Sequence, residues 1–170
     1  MSERIPDLVP GPDGQLNAAD RRWLGQAIEL SRRCPPSASA YSVGAVLVSS
    51  HGAVLSTGYS RERDPYEHAE EAALARVDPA DPRLAWATLY SSLEPCRFRA
   101  SRPVPCAEMI IGAGLRRVVV AWLEPPVLAP GRGAELLRER GVTVLEVPEL
   151  AAEAKAVNAA VLAGPAIRED

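Results

Sequence analysis

Three cysteines and two histidines are all that 170 residues contain of the strongest metal-binding and thiol side chains. So few cysteines exclude a disulfide-stapled scaffold, and a chain of this length can bury a core without staples. No apolar run approaches the ~20 residues that a membrane span requires. No excess of positive charge exists either: 19 Lys+Arg stand against 22 Asp+Glu, a net charge of −3. A dedicated duplex-DNA binder would need a basic face, so a nucleic-acid partner is not expected. The first residues, MSERIPDLVPGPDG, lack the basic-then-apolar pattern of a secretory signal. The expected setting is therefore the cytoplasm, where scarce Cys and His more often serve a metal or catalysis than disulfides.

An apolar share of 47% fits one globular domain. Residues 1–16, broken by Pro6, Pro10, Gly11, Pro12 and Gly14, are expected as a flexible arm. The domain is expected over 17–163 and a tail over 164–170. Asn17 is a candidate N-cap with Asp20 three residues on, and Trp23, Leu24, Ala27, Ile28 and Leu30 line one helical face before Pro35-Pro36. Val43 to Val48 and Ala53 to Thr57 form a hairpin around Ser49-Ser50-His51-Gly52. A helix is expected over 66–77, a strand over 87–93 and a helix over 106–113, stopped at Gly114. The run Arg117 to Trp122 suits a strand covered on both faces. A helix over 133–140, a strand over 142–147 and one final helix over 150–162, ended by Gly164-Pro165, complete the chain. The fold class implied is α/β, a three-layer α-β-α sandwich with a mixed, mostly five-stranded sheet.

The chemistry concentrates in His68-x-Glu70, Pro95-Cys96 and Pro105-Cys106. One imidazole and two thiolates give zinc three ligands, and a catalytic site leaves the fourth tetrahedral position to water. The ion makes hydroxide available near neutral pH. Attack on a ring carbon bearing an amino group also needs a proton carrier, and a carboxylate beside the metal but not bound to it can serve. Glu70 lies within the first turn of the same helix as His68. Cys106 opens a helix, where negative charge is favoured.

These residues resemble the zinc-dependent cytidine/deoxycytidylate deaminase superfamily, and more closely the deaminase domain of bacterial riboflavin-biosynthesis deaminase/reductases, here without the reductase. The marks are Val43-Gly44-Ala45-Val46, His68-Ala69-Glu70, Leu93-Glu94-Pro95-Cys96, Pro105-Cys106, Ala113-Gly114, Val118-Val119-Val120, Glu124-Pro125 and Gly131-Arg132-Gly133. Most of the superfamily has two residues between the cysteines; this chain has nine, Arg97 to Pro105, close to the riboflavin type. The resemblance implies one catalytic Zn2+ per chain on His68, Cys96 and Cys106. It further implies a proton shuttle at Glu70, and ring contacts from the Ala69 N–H and a carbonyl near Ser92. It implies removal of an exocyclic amino group from a small heteroaromatic molecule, a diaminopyrimidine ribotide or another pyrimidine nucleotide or nucleoside, with water as co-substrate. It also makes a homo-oligomer, a dimer first, the expected assembly. Two features depart from the riboflavin pattern: Ala40 stands where those enzymes carry a base-contacting Asn, and the spacer lacks their paired histidines.

Arg97, Arg99 and Arg102 crowd that spacer. They could clamp a substrate phosphate, for which guanidinium is well shaped, or form surface ion pairs. Tyr41 and Phe98 could stack on a ring or pack in the core. His51 and Cys34 read as bystanders, Trp122 as core or rim. Two other functions stay open: a free-base deaminase for guanine, cytosine or an aberrant base, and a structural-zinc protein, which would need a closed four-ligand site.

Overall fold

In the computed structural model, residues 8–124 and 132–164 are described. The sheet runs β2-β1-β3-β4-β5, from β1 (Gly44–Val48), β2 (Val54–Tyr59), β3 (Thr88–Ser91), β4 (Arg117–Val120) and β5 (Thr143–Glu146). β1 pairs antiparallel with β2 and β3, while β3, β4 and β5 are parallel. Every residue of β1, β3 and β4 is buried, whereas the edge strand β2 alternates. Strands covered on both faces need an unbroken apolar run, and an edge strand does not.

Two glycines separate the helical layers. A Cβ on Gly44 would lie 1.9 Å from the Ala27 carbonyl oxygen in α1 (Ala18–Ser31). A Cβ on Gly58 would lie 2.5 Å from the Ala69 carbonyl oxygen in α2 (Ala69–Leu74). Gly58 pairs with Ala45, one residue beyond Gly44, so the two glycines face opposite sides of the sheet. α1 and α2 therefore lie on opposite faces. α3 (Cys106–Gly112) packs between α2 and α4 (Gly133–Glu139), and α5 (Ala151–Val157) packs on α1. This is the three-layer mixed sheet implied by the sequence. Gly44→Ala is expected to cost about 2–3 kcal/mol through overpacking, read as a fall in the urea midpoint without a change in slope.

Several boundaries differ from expectation. Residues 8–16, expected within a loose arm, are tied down. The Trp23 indole donates to the Leu8 carbonyl at 2.8 Å, and Gly11 N donates to Asp20 at 3.2 Å. Residues 1–7, 125–131 and 165–170, with the Pro125, Gly131 and Pro165 positions, lie outside the described residues. α2 begins only at Ala69 because Tyr66 and Glu67 turn with Asp64: Tyr66 N donates to its side chain and Glu67 N to its carbonyl. The last helix breaks at buried Asn158 into α5 and α6 (Ala159–Leu162). The Asn158 amide accepts from Ser42 N and donates to Ser42 O, at 2.7 and 3.0 Å, which rewards a pause in the helix. A 3-10 turn, Pro82–Trp86, also lies between the expected elements. No helix among the described residues is long and apolar enough to cross a membrane.

Candidate metal centre

The site lies at the carboxyl ends of β3 and β4, where parallel strands leave a crevice. Two helix starts and the loop after β3 converge there. His68 is the N-cap of α2, in extended conformation. Cys96 follows β3, and Cys106 is the first residue of α3. The loop carrying Cys96 is fixed from both sides. Glu94 N donates to the Trp122 carbonyl at 3.1 Å, and Ala107 N donates to the Cys96 carbonyl at 3.0 Å. A Cβ on Gly133 would fall 1.7 Å from the Pro95 carbonyl oxygen, so only glycine lets α4 approach so closely.

His68 Nδ1 lies 3.6 Å from Cys96 Sγ and 3.5 Å from Cys106 Sγ. All three ligand atoms lie within 4.8 Å of one another. Zinc bonds of ~2.3 Å to sulfur and ~2.0–2.1 Å to nitrogen at a tetrahedral angle place N and S about 3.5 Å apart. The residues therefore fit zinc in donor type and in spacing. Cys106 N also donates to Cys96 Sγ at 3.2 Å, which favours a thiolate there. The Cys106 thiol, together with His68, draws Cys96 down to about 4. The same hydrogen bond and complete burial push the Cys106 thiol up in the absence of a metal.

Glu70 is buried beside the three ligands. Its Oε1 accepts from Ser91 Oγ at 2.7 Å. Burial pushes its carboxyl above the usual range, against the opposing pull of His68 and Ser91. Ser92 is buried, and its hydroxyl accepts from Gly44 N at 3.0 Å, locking β3 to β1 beside the site. Ala69 N opens α2, one of the first-turn amides that a helix leaves without an internal partner. Tyr41 meets Trp122 edge-on at 5.7 Å, while Phe98 is 60% exposed with Arg97 5.7 Å from its ring centre.

The loop arginines divide. Arg99 is buried and pairs with Glu71 at 2.9 Å. Arg102 pairs with Glu71 at 3.1 Å and with Asp64 at 2.5 Å. The Arg99 side chain is thus buried rather than a surface ion pair, and Glu71 meets part of its charge. Three contributors were not singled out from sequence. Glu71 accepts from His68 N at 3.3 Å, and its i+3 spacing from the N-cap is the capping-box signal that could have revealed it. Ser91 ends an all-buried strand, where a hydroxyl needs a partner, and it finds Glu70. Glu94 is buried and accepts from the Ala134 backbone, bracing α4 against the Cys96 loop. His51 is exposed in its turn, and Cys34 sits half-buried 3.5 Å from the Val43 carbonyl.

Comparison with known proteins agrees with this geometry. The family model of the cytidine and deoxycytidylate deaminase zinc-binding region matches residues 17–122. The diaminohydroxyphosphoribosylamino-pyrimidine deaminase of Schizosaccharomyces pombe is 40% identical over 127 residues, covering 73% of this chain and 31% of that protein. The riboflavin biosynthesis protein RibD of Aquifex aeolicus is 41% identical over 147 residues, covering 84% and 38%. The chain thus spans about a third of the length of these curated relatives. The crystal structure of the Aspergillus oryzae Rib2 deaminase superposes with a TM-score of 0.72 at 25% identity, over 86% of this chain and 92% of that one.

Proposed function

This chain belongs to the cytidine and deoxycytidylate deaminase family, and from that premise we propose that it is a zinc-dependent hydrolytic deaminase of a small amino-substituted heteroaromatic molecule. The observation that carries the proposal is a buried carboxylate, Glu70, one turn from the His68 end of a three-ligand, zinc-spaced cluster. A structural zinc site has no use for such a group. Similarity to the Schizosaccharomyces pombe and Aquifex aeolicus proteins supports a diaminopyrimidine ribotide as the substrate.

His68 Nδ1, Cys96 Sγ and Cys106 Sγ would hold the ion. Zinc, when bound, supplies a hydroxide nucleophile near neutral pH. Glu70 takes the water proton at its carboxylate and returns it to the departing amino nitrogen. Ser91 holds Glu70 Oε1, which limits rotation of the carboxylate during both transfers. The Ala69 N–H and the Ser92 carbonyl orient the ring, with Tyr41 as a candidate wall beside it. The chain is proposed to work as a homo-oligomer, a dimer first, in the cytoplasm, where its free thiols stay reduced for metal binding.

One observation favours a second reading, a substrate without phosphate: Arg99 and Arg102 are engaged by Glu71 and Asp64. Ammonia release from matched substrates with and without the 5′-phosphate decides between them. The ribotide reading expects kcat/KM at least tenfold higher with phosphate, worth about 1.4 kcal/mol of transition-state binding. Equal values point to the base or nucleoside, and no release from either class sinks the deaminase.

A further inference from the structure

The nine-residue spacer between the cysteines buries a charge near its start. The Arg99 side chain is 1% exposed. Its Nη1 donates to Glu71 Oε2 at 2.9 Å and also faces Cys106 Sγ at 4.0 Å. Its Nη2 donates to the Tyr66 carbonyl at 2.5 Å, two residues before His68. Glu71 Oε2 accepts in addition from His68 N at 3.3 Å. One guanidinium therefore meets the Cys106 sulfur directly, and the His68 turn through Glu71 and Tyr66.

A buried guanidinium must be compensated. Glu71 does so only in part, because its other oxygen is shared with Arg102. The Cys106 sulfur is the remaining acceptor beside it. At 4.0 Å the N–H···S contact is long, but Coulomb attraction falls only as the first power of distance and is strong away from water. We propose that Arg99 is a positioning residue of the metal centre: its guanidinium balances the Cys106 thiolate and, through Glu71, holds the His68 turn at its distance from the sulfurs. The proposal rests on the zinc reading above. It gives the arginine spacer a task at the metal rather than at a substrate phosphate.

Outer partners of metal ligands typically change affinity ~10–100-fold. The test uses the full chain and two readouts that need no turnover. They are zinc affinity by competition with a chromophoric chelator, and the thiolate-to-metal charge-transfer band of the cobalt(II)-substituted protein. Arg99→Met is expected to weaken zinc by about 10–100-fold and to shift the cobalt band. Arg99→Lys, which keeps the charge but cannot reach Glu71 and the Tyr66 carbonyl through separate fork nitrogens, is expected to fall between. Arg102→Met, on the same network without a sulfur contact, is expected to stay within about threefold of wild type. A merely structural Arg99 would lower the melting temperatures of chelated and zinc-loaded protein equally. A positioning role shrinks the gap between them. Wild-type affinity with an unchanged cobalt band in Arg99→Met overturns the proposal, as it does in Arg99→Lys should the Met variant not fold. A wild-type chain that takes neither zinc nor cobalt overturns the metal centre itself, a result distinct from either.

Discussion

Glu70→Gln is expected to leave one zinc per chain in place and to lower kcat by roughly 10²–10⁴-fold, the usual share of a general acid-base group. Glutamine keeps the shape of the side chain and can still meet Ser91, so packing at this buried position is preserved. It cannot hold a proton at one step and release it at the next. His68→Ala marks the contrast. It removes the only nitrogen donor of the cluster, so metal and turnover should disappear together. Metal analysis and ammonia release, measured on both variants, separate a lost proton carrier from a lost ion. Ammonia release within tenfold of wild type by Glu70→Gln would remove Glu70 from the reaction.

Asp20→Ala is expected to destabilise the fold by about 3–5 kcal/mol, the cost of leaving a buried partner charge uncompensated. Asp20 is fully buried and accepts from Arg117 Nη1 and Nη2 at 2.7 and 3.0 Å and from the Tyr90 hydroxyl at 2.6 Å. It also completes the capping box of α1, accepting from Asn17 N at 2.8 Å. One carboxylate thus joins the first helix to β3 and β4. For a chain of this size the loss is a fall in Tm of roughly 6–20 °C. Replacing Asp20 and Arg117 together by Leu and Met should recover part of the loss, since no lone charge then stays buried. Equal losses in the double and single variants would show that packing, not charge, is responsible.

The same carboxylate makes stability depend on acid. Burial alone would raise the Asp20 carboxyl, but hydrogen bonds from Arg117 and Tyr90 prevail and hold it below its ordinary value of 3.8. The folded state therefore binds this proton less readily than the unfolded chain. Its contribution is complete above pH ~4 and is lost as pH falls through the lower folded value. Urea midpoints between pH 7 and pH 2 should show wild type losing more stability than the Asp20→Leu/Arg117→Met pair.

Much of the fold was legible because its signals are local. Asn17 and Asp20 form the capping box that their spacing announced, and Gly114 takes the positive φ expected of a helix stop. The nearly unbroken apolar run over 117–122 contains the fully buried β4, Arg117–Val120. The final helix breaks where composition alone implies continuity, because Ala-rich sequence reports helix propensity, not the demand of Ser42 for the Asn158 amide across the domain. α2 starts later than its residues suggest, because Tyr66 and Glu67 look helical in isolation while Asp64 bends them into a turn.

The sequence by itself determined the donor set and its order. His68 caps α2 and Cys106 opens α3, and each cysteine follows a proline whose φ is fixed, so the chain leading to those side chains is already restricted. The tertiary structure alone decided the fate of the charges. Arg99 finds Glu71 28 residues away, Arg102 finds it 31 away, and Arg117 finds Asp20 97 away. Such pairings depend on which helix packs beside which strand, and burial then turns a nominal surface arginine into a fixed part of the core or of the metal centre. Composition records that these charges exist; only packing selects their partners and removes the water that would otherwise screen them.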